Sequence, residues 1–321
     1  MHANVKAMLA AAMLAALAGE ASAQSCTFSN TGIDFGNVNL TSGGFQSATG
    51  TFSADCSGAP GQTIRICPNF NAGSAGIDPS GSPRFLAQGA IKLRFDIFRN
   101  NGVGQQWGSY TWGYSSRPPV LTVNLDGNGM GAVSQTVFGR LYNQQSTLPT
   151  GTYVSTFGGT HTQIDYGYSP GFSCGPTLSP RVQNVPFTVR ATNNSSCAVT
   201  ATDMDFGAHA DLSSPVQTTN TITVTCTAGT QFDIGLSNGS SGAPGPAQRQ
   251  MTNTATGEVI NYGIYRDGGR TQIWGSTSGV NTVGSTSTGL TQTFTGYGRV
   301  PSQPTPSTQT YTDNIVVVVS Y

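Results

Sequence analysis

IVVVVSY, at residues 315–321, is the stretch from which the fold of this chain is argued most directly. Its residues are β-branched or aromatic almost throughout, which favours a β-strand. Side chains alternate between the two faces of a strand, and the residues on one face are Ile315, Val317, Val319 and Tyr321. The other face is also apolar, and a strand of this kind needs a neighbour on each edge because an uncovered apolar edge promotes aggregation. We therefore expect a sheet in which a strand from another protein supplies the neighbour missing after residue 321.

The composition favours an all-β chain. Of the 321 residues, 42 are glycine and only 9% are charged, and serine and threonine are plentiful, a composition typical of many short strands joined by turns. The formal net charge of zero argues against a nucleic acid partner, which needs a basic surface. No segment after the N-terminal region is long and apolar enough to cross a bilayer, so no membrane insertion is expected.

Residues 1–23 are predicted to be a secretory signal peptide. Lys6 precedes an apolar run at residues 8–18, and the sequence ASA at 21–23 fits a cleavage site. The apolar run is too short for a membrane anchor. We expect an exported chain that starts near Gln24 and whose six cysteines form disulfides.

The chain contains one unit twice, as a search for internal repeats shows. Cys26 and Cys197 are each followed, at the same spacing, by Asp-Phe-Gly. Further matched pairs are FDIFR at 95–99 with YGIYR at 262–266, WGS at 107–109 with WGS at 274–276, and FGR at 138–140 with YGR at 297–299. We predict two tandem immunoglobulin-like Greek-key β-sandwiches, with a first domain at 24–190, a linker at 191–196 and a second domain at 197–321.

The repeat also predicts how the six cysteines pair in disulfides. Cys26–Cys56 and Cys197–Cys226 occupy matching positions in the two copies, so each pair is expected to tie a first strand to a second strand. Cys67 and Cys174 have no counterpart in the second copy and are paired by elimination. A shuffled pairing is the alternative.

The two copies differ at their ends. The last strand of the second copy begins at Tyr311, the counterpart of Tyr153, and ends with the chain. The first copy continues for more than thirty residues and includes VPFTVR at 185–190, which is predicted to be one further strand. The second sandwich is therefore expected to lack its last strand and to expose a groove that a foreign strand can fill. The alternative is a complete six-stranded sandwich with a tolerated edge.

These features resemble the spore coat protein U family, which includes subunits of archaic chaperone–usher pili. The resemblance rests on the Cys-x8-Phe-Gly opening, the paired early cysteines, and the YTD sequence at 311–313 before the valine-rich strand. It covers both copies, and two tandem copies resemble the two-domain tip adhesin of such pili. A spore-coat or shell protein of the same family is the alternative.

The resemblance implies a set of partners and a location. A periplasmic chaperone would lend a strand to the second domain along 315–321, and the next pilin subunit would replace that strand at the outer-membrane usher. The chain would be exported through the periplasm to the cell surface at the tip of the pilus (fimbrium), where it would support biofilm attachment. Only Gln24 and Ser25 precede Cys26 after the predicted cleavage, whereas a donor strand needs about ten alternating residues. The chain is therefore expected to accept a strand and to give none.

Three segments of the first copy are predicted to bind an abiotic or host surface. The first carries Tyr110, Trp112 and Tyr114, where the second copy has Thr277, Gly279 and Asn281. Core aromatics could not be replaced by small polar residues without emptying the core, so a loop with exposed aromatics is expected, and such clusters mark contact sites. The second segment carries Tyr166, Tyr168 and Phe172, and the third is an insertion at 70–83 that contains Ile77. The Cys67–Cys174 bridge is expected to hold the second and third side by side, and a glycan-binding lectin is the alternative because aromatic faces also stack on sugars.

The sequence gives no support for an enzyme. The exported chain has one glutamate, Glu258, and its two histidines, His161 and His209, lie in different copies. It contains neither a G-x-S-x-G elbow nor a C-x-x-C zinc motif. No catalytic residue, metal or cofactor is predicted.

Overall fold

The computed structural model of the chain describes residues 23–101 and 104–321. The predicted signal peptide lies outside the described residues except for Ala23. The described part contains nineteen strands and three short 3-10 helices, which confirms the all-β prediction. It forms two immunoglobulin-like β-sandwiches, and each has its own hydrophobic core.

The first copy contains eleven of these strands. They are β1 (Ser25–Asn30), β2 (Ile33–Val38), β3 (Gln46–Ser57), β4 (Thr63–Phe70), β5 (Arg84–Gln88), β6 (Ile91–Phe98), β7 (Leu121–Asn124), β8 (Met130–Leu141), β9 (Gly151–Phe157), β10 (Thr162–Ser169) and β11 (Phe187–Asn193). One sheet has the order β1-β3-β8-β6-β5-β9-β11-β2, and the other has the order β10-β4-β7. The first segment of the chain therefore supplies both ends of the larger sheet, with β1 beside β3 and β2 beside β11.

A glycine makes this arrangement possible. Gly32, between β1 and β2, has a φ of +73°, which favours glycine. A Cβ at this position would lie 2.4 Å from the carbonyl oxygen of Thr188. The absence of a side chain thus lets the chain pass close to the segment that β2 pairs with.

Strand β11 closes the first sandwich, as the extra VPFTVR segment predicts. It runs antiparallel to β9 and parallel to β2, and Phe187, Val189 and Ala191 on its inner face are buried. The ring of Phe187 stacks on Phe157 at a centroid distance of 4.5 Å. The strand extends to Asn193 and so includes the first residues of the predicted linker.

The second copy contains eight strands within the described residues. They are β12 (Cys197–Ala201), β13 (Val216–Cys226), β14 (Gln231–Leu236), β15 (Arg249–Thr252), β16 (Val259–Tyr265), β17 (Val283–Thr286), β18 (Gln292–Val300) and β19 (Val317–Ser320). They form one sheet in the order β12-β13-β18-β16-β15 and another in the order β17-β14-β19. Strand β19 is therefore an edge strand.

All three predicted disulfides are confirmed. Cys26 lies directly opposite Cys56 on β1 and β3, and Cys197 lies opposite Cys226 on β12 and β13. The third bridge joins residues 107 positions apart, Cys67 on β4 and Cys174 beyond the end of β10.

The two cores share a tryptophan and an arginine at matching positions. Trp107 and Trp274 are fully buried, and each indole N–H donates to a backbone carbonyl at 2.8 Å. Arg84 and Arg249 are also fully buried. The sequence pattern did not identify the arginines, each of which is the first residue of a strand, β5 or β15.

A surface ion pair joins β2 to β11 and gives a pH prediction. Arg190 donates to the Asp34 carboxylate at 2.6 and 2.9 Å, and this hydrogen bonding lowers the pKa of Asp34 below its ordinary value. The pair therefore stabilises the fold fully above the unfolded pKa of about 3.9, and this contribution is lost as the pH falls through the lower folded pKa.

Because the pair is exposed, its contribution is small. Thermal unfolding is the measurement. Arg190→Gln is expected to lower the midpoint slightly at about pH 7 and not at about pH 2. An equal difference at both pH values would show that the pairing does not act through the Asp34 charge.

Candidate functional site

An open groove runs along the second copy. It is a cavity of about 480 Å³ between the segment at 204–212 and the segment at 305–311, and Met251 and Ile260 lie at its base. In the first copy the position between the two equivalent segments is occupied by β11. The groove is therefore the place where a closing strand would lie.

Matched core positions show what the groove leaves uncovered. The first copy buries five residues to 2% exposure or less, namely Ile33, Leu86, Leu93, Tyr153 and Phe157. Their counterparts in the second copy are all only half-buried, namely Met204, Met251, Ile260, Tyr311 and Ile315. The same positions differ in burial because β11 covers them in one copy and no described strand covers them in the other.

The backbone segments that border the groove form almost no strand pairing in the described structure. Residues 204–212 form no strand, whereas their counterpart β2 pairs with β11. On the opposite side, Thr312 makes a single bridge to Thr252. Backbone groups on both sides of the groove are thus available to a further strand.

The predicted strand at 311–321 is shorter than expected. Only Val317–Ser320 forms a strand, β19, which pairs with β14 on one edge. Ile315, Val317 and Val319 point toward the core and are half-buried, as the alternation predicts. Tyr321 is 61% exposed, unlike its counterpart Tyr166, whose hydroxyl accepts a hydrogen bond from Gln183 of the segment before β11.

The rim of the groove carries carboxylates. Asp205 accepts a hydrogen bond from the Gly207 N–H at 2.8 Å, as Asp34 does from Gly36. Asp34 also accepts hydrogen bonds from Arg190 of β11. Asp205 occupies the same position beside the groove, so a cationic side chain on an incoming strand could pair with it. Glu258 accepts a hydrogen bond from the Ser307 hydroxyl, which lowers the pKa of Glu258 below its ordinary value.

The first predicted surface segment is a compact loop rather than a set of free aromatic side chains. Tyr110, Trp112 and Tyr114 are each half-buried. The Trp112 ring lies 4.8 Å from the Arg84 guanidinium and 5.3 Å from the Tyr114 ring, and its indole N–H donates to the Ser116 carbonyl. Packing within the loop therefore holds part of each aromatic face away from solvent.

This loop contacts the third predicted segment, 70–83. A Cβ at Gly81 would lie 2.6 Å from the Tyr114 ring, so glycine permits the close approach. Ile77, in the same segment, is half-buried and forms a bridge with Arg84. These contacts join the first and third segments, and the expected proximity of the second and third stays a prediction.

One residue of the second segment is wrongly predicted. Tyr166 is 4% exposed and packs edge-on against Phe28 in the core, so it cannot contact an external surface. Tyr166 lies two residues after Ile164 on β10, so the two side chains share one face of the strand. This spacing was the sequence signal for the burial of Tyr166. Tyr168 and Phe172 are half-buried beyond it, and the Tyr168 hydroxyl accepts a hydrogen bond from the Ala59 N–H.

The described part of the chain contains no candidate metal site and no candidate membrane-spanning helix. Among residues 23–101 and 104–321, no three His, Cys, Asp or Glu side chains lie close enough to hold a metal ion. Within the same residues, no helix has the length and apolar character needed to span a bilayer.

Comparisons with known proteins match the chain to one family model and to solved structures of similar fold. The Spore Coat Protein U domain model matches residues 10–160 and 183–318. A crystal structure of the CsuC–CsuE chaperone–tip adhesion subunit pre-assembly complex, from archaic chaperone–usher Csu pili of Acinetobacter baumannii, is 17% identical with a TM-score of 0.52, and the match covers 92% of this chain and 100% of that chain. The CupB6 tip adhesin from Pseudomonas aeruginosa is 11% identical with a TM-score of 0.39, covering 92% and 93% of the two chains. The curated proteins contain no significant match.

Proposed function

The chain belongs to the Spore Coat Protein U domain family, and on this premise we propose that it is a non-enzymatic tip adhesin of a chaperone–usher pilus. It is exported through the periplasm to the cell surface. The first domain, 24–190, contacts a surface, and the second, 197–321, docks to the fibre. The observation that carries the proposal is the groove, where matched core positions are covered in one copy and uncovered in the other.

The first copy supplies a template for the strand that enters the groove. Since β11 is antiparallel to β9 and parallel to β2, a stably bound strand runs antiparallel to 311–321 and parallel to 204–212. The inner face of the β11 segment carries Val185, Phe187 and Val189, so the incoming strand has apolar residues at every second position.

The template also indicates a charged position on the incoming strand. Arg190 of β11 binds Asp34, and Asp205 stands at the same position beside the groove. A lysine or arginine on the incoming strand, one residue after its third apolar position, would meet Asp205. The partners that supply such strands are a periplasmic chaperone first and the next pilin subunit later, with assembly at the outer-membrane usher.

The location of the protein on the cell tests this function. Antibodies against the chain, used in immunogold electron microscopy of intact cells, are expected to label the free ends of surface fibres. Deletion of the gene for the outer-membrane usher is expected to remove that label from the surface. Label distributed over a coat, or unchanged surface label without the usher, would instead indicate a shell protein.

The aromatic loop gives a prediction about adhesion. Replacing Tyr110, Trp112 and Tyr114 together by Ser is expected to reduce attachment of piliated cells to polystyrene by about tenfold, because aromatic residues dominate contact surfaces. Attachment is measured by counting adherent cells at matched fibre number.

A residue of the equivalent loop in the second copy provides the control. Val280→Ser changes a side chain that is 65% exposed and is expected to leave attachment unchanged. If the triple variant attaches as well as the unmodified chain, the surface-binding role of this loop is wrong. A single Tyr110→Ser variant separates loss of surface contact from loss of the Trp112 packing, because Tyr114 is the ring that Trp112 contacts.

A further inference from the structure

A second cavity lies in the first copy, on the face formed by β6 and β8. Its volume is about 320 Å³, within the range of small-ligand pockets. Phe45, Phe98, Arg140 and Tyr142 form its walls. The remaining polar lining consists of Ser82, Asp96 and Gln106. Apolar walls with a few convergent polar groups are the usual composition of a binding site.

The polar lining is already organised by hydrogen bonds. Asp96 is buried and pairs with Arg84 at 2.5 Å, which neutralises its charge. Its carboxylate also accepts from the Ser82 hydroxyl at 2.8 Å and from the Gln106 amide at 2.9 Å. The Tyr142 hydroxyl lies 3.2 Å from the Ser82 hydroxyl. A ligand would therefore meet the Ser82 and Tyr142 hydroxyls, which the buried Asp96 carboxylate holds in fixed positions through Ser82.

Arg140 leaves a net positive charge at this cavity. Its guanidinium lies 3.6 Å from the centroid of the Phe45 ring. Among the described residues, no hydrogen-bond acceptor or carboxylate pairs with it. A guanidinium stacked on an aromatic ring keeps its N–H edge available, and that edge matches a carboxylate in a bidentate geometry. The pocket therefore favours an anionic ligand.

The second copy shows that the fold does not require these residues. Arg249 and Arg299 stand at the positions of Arg84 and Arg140. The other lining positions are changed, since Pro215, Ala247, Gly263, Ile273 and Pro301 replace Phe45, Ser82, Asp96, Gln106 and Tyr142. The buried arginine of the second copy is accommodated without a carboxylate at the Asp96 position. The polar lining is thus specific to the copy that is proposed to face outward.

We propose that this pocket binds a hexuronate, the carboxylated sugar residue of an acidic polysaccharide. The carboxylate pairs with Arg140, and the apolar face of the pyranose ring lies against Phe45 and Phe98. The sugar hydroxyls exchange hydrogen bonds with the Tyr142 and Ser82 hydroxyls. The pocket belongs to the first copy, so this binding does not depend on the strand proposed to fill the groove of the second.

Ligand-observed saturation-transfer NMR on the full chain tests the proposal, with D-glucuronate as the probe. This measurement tolerates self-association of the protein. Glucuronate is expected to bind at least about tenfold more tightly than glucose, because the neutral sugar loses the charge-assisted pair with Arg140. Arg140→Gln is expected to weaken glucuronate binding by about the same factor, and Arg299→Gln, the matched change in the second copy, is expected to have no effect.

Several outcomes would overturn the proposal. They are no saturation transfer to glucuronate, unchanged binding by Arg140→Gln, or an equal loss with Arg299→Gln. Benzoate binding as tightly as glucuronate would show that the pocket takes aromatic carboxylates and not sugars. Should Arg140→Gln fail to fold by circular dichroism, Tyr142→Phe removes a single hydroxyl and is expected to weaken binding severalfold, and unchanged binding by that variant would equally reject the site.

Discussion

A chain extended after Tyr321 by a flexible linker and a second copy of residues 183–193 is expected to be monomeric and markedly more stable than the unextended chain. The linker would be as long as residues 170–182, which connect the equivalent strands in the first copy. The added strand would then run back along 311–321 and enter the groove. Its three inner apolar side chains each contribute about 1.5–3 kcal/mol when fully buried, before the cost of ordering the strand.

Hydrogen exchange and size-exclusion chromatography measure this effect. Amides of residues 204–212 and 311–321 are expected to become protected in the extended chain, because β-addition pairs both sides of the groove. The matched control carries the same extension with its copies of Val185, Phe187 and Val189 changed to Ser, and it is expected to behave like the unextended chain. A monomeric unextended chain whose groove amides are already protected would mean that the second sandwich is closed and that no partner strand is needed.

Asp96→Ala is expected to destabilise the first copy by about 3–5 kcal/mol, since it leaves a buried guanidinium without its counter-charge. Arg84 donates from Nη1 to Asp96 and from Nε and Nη2 to the carbonyls of Asn71, Phe70 and Trp107. Burial lowers the pKa of Arg84, while the Asp96 charge acts to raise it. Without the carboxylate, the Nη1 group has no acceptor and a charge remains in the core.

The second copy shows why the loss of stability from removing this carboxylate is confined to the first copy. Arg249 makes the same contacts to carbonyls, and its Nη1 donates to the Pro246 carbonyl at 3.3 Å, where Arg84 uses Asp96. Gly263 occupies the Asp96 position. A backbone carbonyl thus takes the role of the carboxylate in one copy, and the other copy has no such substitute among its described contacts.

Urea unfolding followed by tryptophan fluorescence measures the destabilisation. Asp96→Asn is expected to cost less than Asp96→Ala because an amide oxygen can still accept from Arg84. The double variant Arg84→Met with Asp96→Ala is expected to recover part of the loss, since it removes the unpaired charge. If Asp96→Ala unfolds at the same urea concentration as the unmodified chain, the ion pair does not support the first core.

Much of the candidate site could be predicted because the chain contains two copies of one domain, and matched positions in the two copies can be compared. Matching Cys26 with Cys197, and Tyr153 with Tyr311, was enough to pair the cysteines and to locate the place where no described strand of the second copy corresponds to β11. These inferences depend on spacing along the chain, which folding does not change. The alternation in 315–321 likewise predicted which of its residues turn toward the core.

Sequence spacing could not predict which faces of the first copy are covered. The aromatic loop was expected to be exposed, yet Trp112 packs on Arg84 and Tyr114, and Tyr166 was placed on the surface although it lies in the core. The arginines and the pocket beside Arg140 were missed because their contacts join residues far apart in the chain. In each case two strands or loops had to be brought together before the environment of the side chain was defined.

The sequence alone therefore determined the number of sandwiches, the three disulfides and the position where β11 has no counterpart among the described strands of the second copy, because these follow from local alternation and from a repeated order of residues. The tertiary structure alone decided which aromatics are accessible, which acceptors each buried arginine finds and where a cavity remains. Alternation divides a strand into two faces, but the burial of each face depends on the packing of distant segments against it.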